Sequence, residues 1–451
     1  MKEKMKKPEY ALRLLFSFFT IACFIAAFVM PDLKDAPAGI GRICIQSGQT
    51  VKSFFDATYG GFAGTFLNVG LVCLVMTLLF SLPGAKPDGV SAMAFFLTAG
   101  FCFWGITILN IWFSFAGVAL YCLVKKKKFG SMADAALFST GLAPLITEML
   151  FRYPAAEWHG WTVSGVLIAL AVGIFIGFMV VPGLDYSPKV HKGFTLYSAA
   201  LPVGLIAFFL RSLLYKVFLP TPPDPAGVGI GDSFALICNV FCLVVFGGAV
   251  LWGLALGGGR QYGALIHDSG YNADYLSKYG MPATIMNLGV YGLFILAYYN
   301  LIGANWNGAT IGIVFCMVCC FARGSHPRNV LPIMVGYFAA SMIAKYVCGL
   351  TGADFNMAVN AQAIVIGLCY ASGLSPVSGE YGFLAGILSG MLHYTMVTCV
   401  PLMHGSFLLY NGGFTTAFVC ALFVPVLEHF FRTKTEKKAA GEAVEKQKAE
   451  E

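Results

Sequence analysis

The chain has 451 residues, of which 58% are apolar and 11% are charged, and its formal net charge is +7. A soluble domain carries about 25% charged residues, so composition excludes a soluble protein of this length. The excess lysines lie at the ends of apolar segments, in 2–7, 125–128 and 434–438, and form no nucleic-acid-binding patch. Composition therefore predicts an integral membrane protein.

Uncharged apolar runs predict about fourteen membrane-spanning segments, each approaching the roughly 20 residues that cross a bilayer as helix. The first has a basic flank like a signal peptide. Its apolar part is too long and lacks a small-residue cleavage site, so it is predicted to be a spanning helix. In chain order the segments are 11–30, 62–82, 89–104, 106–124, 134–150, 161–181, 193–215, 233–256, 282–302, 309–322, 329–347, 358–375, 381–400 and 405–431.

The sequence repeats itself at an offset of about 219 residues. Residues such as Asn68 and Gly105 match Asn287 and Gly324 without a gap. Further on, Gly-Leu-x-Pro and Pro-x-x-His-x-x-Phe-x-Leu-Tyr elements also recur, at 141–144 and 373–376 and at 188–197 and 401–410. Matches in Gly, Asn, His and Pro are not explained by shared apolar composition. They predict two related halves, as in many secondary transporters.

Charge sets the predicted topology. With the N-terminus in the cytoplasm, the crossing count puts every strong basic cluster inside, including 125–128 and Arg323 with Arg328. It puts the loops 220–231 and 349–354 outside. Treating the Gly-Leu-x-Pro segments as re-entrant would instead make the repeats parallel and leave Arg323 and Arg328 outside. The charges favour inverted repeats.

The predicted fold is an all-α integral membrane protein with two inverted-topology repeats of about six helices each, including broken or re-entrant segments. The predicted parts are an N-terminal helix with an external linker (1–58), repeat 1 (59–218), a linking transmembrane helix with loops (219–278), repeat 2 (279–432) and a charged, disordered cytoplasmic tail (433–451).

The two Gly-Leu-x-Pro elements are the first site candidates. Glycine loosens a helix and proline removes an N–H, and carbonyls freed in lipid must be buried in protein or line a cavity. Matched breaks therefore predict a transport site, with both elements facing a shared polar cavity; packing kinks are the alternative. Glu148 and Glu380 follow the two breaks at equal spacing. They predict a coupling-ion site, and the alternative is that both are solvated carboxylates in loops. The residues are Gly141, Pro144, Glu148, Gly373, Ser375, Pro376, Ser378 and Glu380.

Other polar residues at matched positions are further candidates. The asparagines either join helices by hydrogen bonds or contact the solute, and the histidines either relay protons or anchor helix ends. Tyr410 and Asn411 start the final segment, where they either contact the solute or pack against other helices. These candidates are Asn68, Asn287, His191, His404, Tyr410 and Asn411.

Enzyme signatures are weak. Gly229-Ile-Gly-Asp232 matches the Gly-x-Gly-Asp of intramembrane aspartyl proteases, but no second aspartate lies within a strongly apolar run. The sequence predicts no catalytic residues, cofactor or metal. The predicted partners are a small solute or ion and the lipid bilayer, without nucleic acid, and a homo-oligomer is left open.

The stretch 373–414, from Gly-Leu-Ser-Pro to His404-Gly-Ser-Phe-Leu-Leu-Tyr-Asn-Gly-Gly-Phe414, resembles an uncharacterised bacterial multi-pass membrane family, the domain of unknown function 1576. The resemblance covers most of the chain. It implies a bacterial cytoplasmic membrane protein, and it carries no substrate. The charge distribution predicts that both termini lie in the cytoplasm. The leading hypothesis is a secondary transporter of a small polar or ionic solute; the alternatives are a passive channel or facilitator and a membrane-embedded enzyme acting on lipid.

Overall fold

The structure is a computed structural model that describes residues 7–50, 52–218, 220, 222 and 233–450, with side chains described through 440 and at 442 and 445. All regular secondary structure in these ranges is helical. The Gly229–Asp232 motif and most of the loop 220–231 lie outside the described residues. The α-helices are α1 (Pro8–Val29), α2 (Ala36–Ile45), α3 (Gly61–Leu79), α4 (Gly89–Phe101), α5 (Ile111–Lys125), α6 (Ala133–Ser139), α7 (Ala143–Phe151), α8 (Val163–His191), α9 (Ala200–Ser212), α10 (Ala235–Ala255), α11 (Gly259–Leu265), α12 (Tyr275–Leu301), α13 (Gly308–Val318), α14 (Pro327–Thr351), α15 (Gln362–Ala371), α16 (Ser375–Tyr381), α17 (Phe383–Met396), α18 (Val400–Met403), α19 (Asn411–Phe430) and α20 (Lys434–Glu450).

Among the described residues, nine helical stretches are long and apolar enough to cross a membrane. Four further apolar helices are shorter, at 10–17 residues. Since a spanning helix needs about 20 residues, the chain is an all-helical integral membrane protein. The nine stretches are Pro8–Val29, Gly61–Leu79, Phe129–Phe151, Val163–His191, Ala200–Val217, Ala235–Ala255, Tyr275–Leu301, Pro327–Thr351 and Asn411–Ala440.

Contacts between helix ends define two ends of the bundle. At the near end, where α1 begins, Arg13 donates to the carbonyls of Phe80 and Ala85. Gly84 packs beside the side chain of Lys128 at the same end. At the far end, where α1 finishes, the side chain of Asp32 accepts from the N–H of Ala63 at the start of α3.

Other contacts extend both ends across the rest of the bundle. Lys192, after α8, pairs with Glu428 near the end of α19 at 2.6 Å, and the Tyr271 hydroxyl donates to the Lys192 carbonyl. These residues therefore lie together at the near end. At the far end, the side chains of Asn239 and Asn300 join the start of α10 to the last turn of α12.

One buried asparagine holds the turn between α4 and α5. The side-chain amide of Asn68, on α3, donates to the carbonyls of Cys102 at 2.9 Å and Ile106 at 3.1 Å. Its side-chain oxygen accepts from the N–H of Ile108. The turn passes through Gly105, whose φ of 99° favours glycine. Asn68 thus satisfies backbone groups that the turn frees inside the bundle.

The second half repeats this arrangement. Asn287, on α12, donates to the carbonyls of Phe321 and Ser325, each at 2.8 Å, between α13 and α14. Gly324 takes a φ of 137° at that turn. Asn329 donates to the Gly324 carbonyl; in the first half Asn110 does the same to the carbonyl of Gly105.

Helices α4 and α13 run antiparallel at the centre of the bundle. Gly89, at the start of α4, lies against Arg323 beyond the end of α13, while Gly308, at the start of α13, lies against the carbonyl of Phe103. Where they approach most closely, a Cβ on Gly100 or on Gly312 would clash with the other helix. Both glycines therefore allow backbone-to-backbone packing, the use that membrane helices make of small residues.

The helix predicted as a separate linker packs like the first helix. α10 packs along α12, as α1 packs along α3. The short α11 also packs on α12, as α2 packs on α3. In each half, two helices therefore precede and cover the helix that carries the turn-holding asparagine.

The tail is helical where the sequence predicts disorder. α20 begins with a capping box, in which the N–H of Glu436 donates to the Thr433 hydroxyl and the N–H of Thr433 donates to the Glu436 carboxylate. Lys434 then reaches the carbonyl of His267. Its composition, rich in Ala, Glu and Lys, favours helix, and these contacts attach its first turn to the near end.

Replacing Asn68 or Asn287 by alanine should destabilise the protein by about 1–3 kcal/mol, because each change leaves buried backbone carbonyls without donors. Denaturation in detergent measures the loss. The control is Asn360→Ala, whose one weak bond to Gly303 is exposed and which should change stability by less than about 0.5 kcal/mol. Unchanged stability in both buried variants would contradict this role.

Candidate functional site

Both Gly-Leu-x-Pro elements interrupt helices, and each is completed by the other half. Gly141 lies in a 3-10 turn between α6 and α7, and Gly373 lies in the matching turn between α15 and α16. The Gly141 carbonyl accepts from the N–H of Leu409, and the Gly373 carbonyl accepts from the N–H of Leu196, both at 2.9 Å. A carbonyl at each break is therefore satisfied by protein and not by a solute.

Tyrosine rings fill the space over the same glycines. A Cβ on Gly141 would clash with the ring of Tyr410, and one on Gly373 with the ring of Tyr197. The Tyr197 hydroxyl donates to the carbonyl of Cys316 at 2.8 Å, and its ring lies 4.8 Å from that of Tyr370. The predicted polar cavity shared by the two elements is wrong, because aromatic side chains occupy the centre.

Glu148 lies at the far end and is paired. Its carboxylate accepts from Arg152 at 2.5 Å and from the Tyr215 hydroxyl at 3.2 Å. With Pro144 and Thr147 it lines a cavity of about 370 Å³, here named the Glu148 cavity. A carboxylate neutralised by an adjacent arginine is a poor candidate for a coupling-ion ligand.

Glu380 lies at the near end and binds the tail. Its two carboxylate oxygens accept from the N–H of Thr435 at 2.9 Å and from the Thr435 hydroxyl at 2.8 Å. A carboxylate at a helix N-terminus is also favoured by the helix dipole. Glu380 therefore anchors α20, and it lies at the opposite end of the bundle from Glu148.

The other predicted residues of the second break have structural contacts. The Ser375 hydroxyl meets that of Ser325, in the α13–α14 turn, at 3.2 Å. Pro376 occupies the first turn of α16, where its missing N–H leaves no donor unpaired. Ser378, on the same helix, lines a cavity of about 420 Å³ with His326 and Lys434, here named the Lys434 cavity.

The predicted histidines make matching contacts seven residues along the chain. His191 Nδ1 accepts from the N–H of Gly193, so Nε2 carries the proton and donates to the Ser198 hydroxyl at 2.9 Å. His404 Nδ1 donates to the Asn411 side-chain oxygen at 2.7 Å. Both join the end of one helix to the start of the next. His191 also lines a further cavity.

That further cavity lies at the near end, where the halves meet. It measures about 380 Å³ and is here named the Asp134 cavity. Residues of α4, α6 and α8 form most of its wall, while Asn272 and Arg323 come from beyond α10. Its polar lining consists of Ser131, Asp134, Asp185, His191, Thr195, Ser198, Asn272 and Arg323.

Two groups of opposite charge line the Asp134 cavity and do not pair with each other. The Asp134 oxygen Oδ1 is buried and accepts no hydrogen bond. The guanidinium of Arg323 makes no hydrogen bond or ion pair with the described residues, Asp134 included. Unpaired ionisable groups are costly within a membrane protein and mark pathways and binding sites. This cavity is therefore the best candidate for a functional site.

The start of α4 lies between these charges. Gly89 has no side chain, which leaves room for the stem of Arg323. Asp88 caps the helix by accepting from the N–H groups of Val90 and Ser91. Apolar residues such as Met93 complete the wall. The cavity thus combines both charges with an apolar surface.

Sequence reasoning missed Asp134 and treated Arg323 only as a topology marker. Asp134 stands near the start of its apolar segment, where an aspartate reads as a helix-end residue. Arg323 directly precedes Gly324 at a matched helix turn. The available signal for the site was Arg323, a charged residue next to a helix turn that lies inside the bundle.

In the Lys434 cavity, Asp268 and His326 already have partners. Burial alone would raise the pKa of Asp268, but hydrogen bonds from Lys278, Tyr279 and the Gly270 N–H outweigh it and hold that pKa below its usual range. Burial lowers the pKa of His326 to about 4, so this imidazole is neutral near pH 7. These groups are satisfied by the protein itself.

Among the described residues, no group of three or more His, Cys, Asp or Glu side chains is placed to hold a metal ion. Fourteen cysteines are free. The site is defined by the charges of the Asp134 cavity.

The fold and this cavity define an all-helical membrane protein with a charged cavity between its two halves. The chain belongs to the family described as "Protein of unknown function (DUF1576)", whose sequence model matches residues 33–216 and 260–429. The match confirms the resemblance carried by residues 373–414. No curated protein and no solved structure matches the chain.

Replacing Glu380 by alanine should release the tail from the near end, because Thr435 loses both carboxylate contacts. Limited trypsin digestion should then cleave at the lysines of α20 about tenfold faster, as expected for the loss of hydrogen bonds to a charged group. The control is Glu442→Ala, which affects only an exposed pair with Lys438 at 3.8 Å. Equal cleavage rates in both variants would show that other contacts hold the tail.

Proposed function

We propose that the protein is a secondary transporter of a small polar or ionic solute, with its solute site in the Asp134 cavity. The observation that carries the proposal is the presence of two opposite charges, Asp134 and Arg323, that line one cavity between the halves without pairing with each other. Leaving these charges unpaired costs free energy that a bound solute and water offset.

The proposed architecture is two inverted repeats, each with seven helical segments. The equivalent helices α4 and α13 run antiparallel, which requires an axis perpendicular to them. The paired roles of Asn68 and Asn287 support the equivalence. An odd number of segments in each half makes the second half enter from the opposite side. Inverted repeats of this kind are common among secondary transporters.

The aromatic centre favours a transporter over a channel. The rings of Tyr197 and Tyr370 lie between the two breaks, and the ring of Tyr410 lies 5.7 Å from that of Phe101. The Asp134 cavity opens at the near end and the Glu148 cavity lies at the far end. Two cavities separated by packed side chains suit alternating access better than a continuous pore.

We further propose that the near end faces the cytoplasm of a bacterial cell, with both termini. Lys125–Lys128, Lys192, Lys278 and Arg323 are all at this end, and cytoplasmic loops carry an excess of basic residues. The family resemblance agrees with a bacterial cytoplasmic membrane.

Cysteine labelling on intact cells tests this orientation. In a background where the exposed Cys399 and half-buried Cys348 are serine, Lys126→Cys should resist an impermeant maleimide until the cells are permeabilised. Lys52→Cys, exposed at the far end, should react at once and serves as the control. Labelling of Lys126→Cys on intact cells would contradict the orientation.

A ligand screen followed by flux measurement tests the transport proposal. Thermal unfolding of the purified protein is measured against inorganic ions, carboxylates, amines, amino acids, sugars and nucleosides, since a ligand stabilises the state it binds. Arg323→Gln should abolish the stabilisation by the binding class. Arg328→Gln, exposed on the same turn and lining the Lys434 cavity instead, should preserve it.

Compounds that stabilise the protein are then offered to proteoliposomes with and without proton and sodium gradients. Accumulation that depends on a gradient and stops on adding an ionophore supports secondary transport. Gradient-independent flux would favour a facilitator, and formation of a product from lipid would favour the enzyme alternative. Either result would overturn the proposal.

A further inference from the structure

We infer that the solute of the Asp134 cavity is a small zwitterion, a molecule carrying one carboxylate and one ammonium group. This inference rests on the proposed transport function and adds the class of solute to it. A solute with a single charge would leave either Asp134 or Arg323 without a partner.

Arg323 is suited to the carboxylate. A guanidinium presents several N–H donors in a planar fork that matches two carboxylate oxygens. No acidic group in the described part of the chain forms an ion pair with Arg323, Asp134 and Asp185 included, and Asp88 caps α4. The positive end of α4, beside Arg323 at Gly89, also favours an anionic group there.

Asp134 is suited to the ammonium. Asp134 lines the cavity wall, its oxygen Oδ1 accepts no hydrogen bond, and an ammonium is a compact donor that a carboxylate can hold. Asp185, also in the cavity wall, adds a second acceptor.

The shape of the wall limits the solute to a small molecule with some apolar surface. A cavity of about 380 Å³ is at the low end of small-molecule sites, which span roughly 300–1,000 Å³. Apolar side chains, among them Val90, Met93 and Phe138, form the part of the wall away from the charges. An amino acid or an ω-amino acid fits this pattern, and an inorganic ion leaves the apolar wall unused.

The test compares zwitterions with their halves on the purified full-length protein. Calorimetry or thermal unfolding measures the affinity for glycine, β-alanine, γ-aminobutyrate, 5-aminovalerate and leucine. For each, the carboxylate without the amine and the amine without the carboxylate are measured in the same buffer. At least one zwitterion should bind about tenfold tighter than either half, because it alone satisfies both charges. The best spacing in the series reports the separation of the two groups.

Two substitutions identify which charge binds which group. In Arg323→Gln, the best zwitterion should bind no tighter than its amine half, and in Asp134→Asn no tighter than its carboxylate half. Arg328→Gln is the matched control and should keep the preference for the zwitterion. Each variant is first checked for a monodisperse elution profile, and the comparison of ligands on the unmodified protein tests the inference without any variant.

Other outcomes overturn the inference and separate it from the transport proposal. If a simple carboxylate or amine binds as tightly as every zwitterion, the solute class is wrong, and gradient-driven flux of that compound would leave transport standing. If short-chain phosphatidylethanolamine saturates the protein and amino acids do not, the cavity binds a lipid headgroup. If no amino acid binds, the inference fails.

Discussion

Backbone groups freed inside a membrane must find partners within the protein, and this requirement organises the bundle. Each half turns its chain within the bundle and also breaks a helix at a Gly-Leu-x-Pro element. One asparagine from the neighbouring helix satisfies the carbonyls of each turn, as Asn68 and Asn287 do. The N–H of a leucine in the other half satisfies the carbonyl at each break, as Leu409 and Leu196 do.

This exchange between the halves decides where a cavity is able to form. Because each break receives its partner from the other half, the breaks join the halves at the centre. The tyrosine rings lie over Gly141 and Gly373. Among the described residues, three cavities with polar linings lie near the two ends, beside helix starts and turns, and the candidate site is one of them.

The sequence predicts the parts of this arrangement that depend on residue type at matched positions. The helix breaks at Gly141 and Gly373 and the matching asparagines are readable because the same residue types recur at matched positions of the two halves. The contacts that a break makes are not readable in the same way. Glu148 and Glu380 follow the breaks at equal spacing, yet one binds Arg152 and the other binds the tail, because tertiary partners are set by distant residues.

The tail carries a local helix signal that its high charge concealed. Its charge predicts disorder, but Thr433 and Glu436 have the spacing of a capping box, and both side chains make the expected bonds. Local capping decides the start of a helix whose remaining surface is polar. The charged cavity has no comparable signal, since a lone Asp134 near a segment boundary resembles a helix-end residue.

Residues that hold the fold recur in both halves, whereas residues that charge the Asp134 cavity do not. At the repeat offsets, Arg323 corresponds to Trp104, and Asp134 corresponds to Ile366. The backbone constraint acts equally on both halves, so its asparagines and glycines are duplicated. Binding a solute needs one set of charges, and a second set at the far end would bind the solute there separately. In the transport proposal, one charged site is therefore exposed to each side in turn, and the duplicated scaffold supplies the two arrangements that alternate.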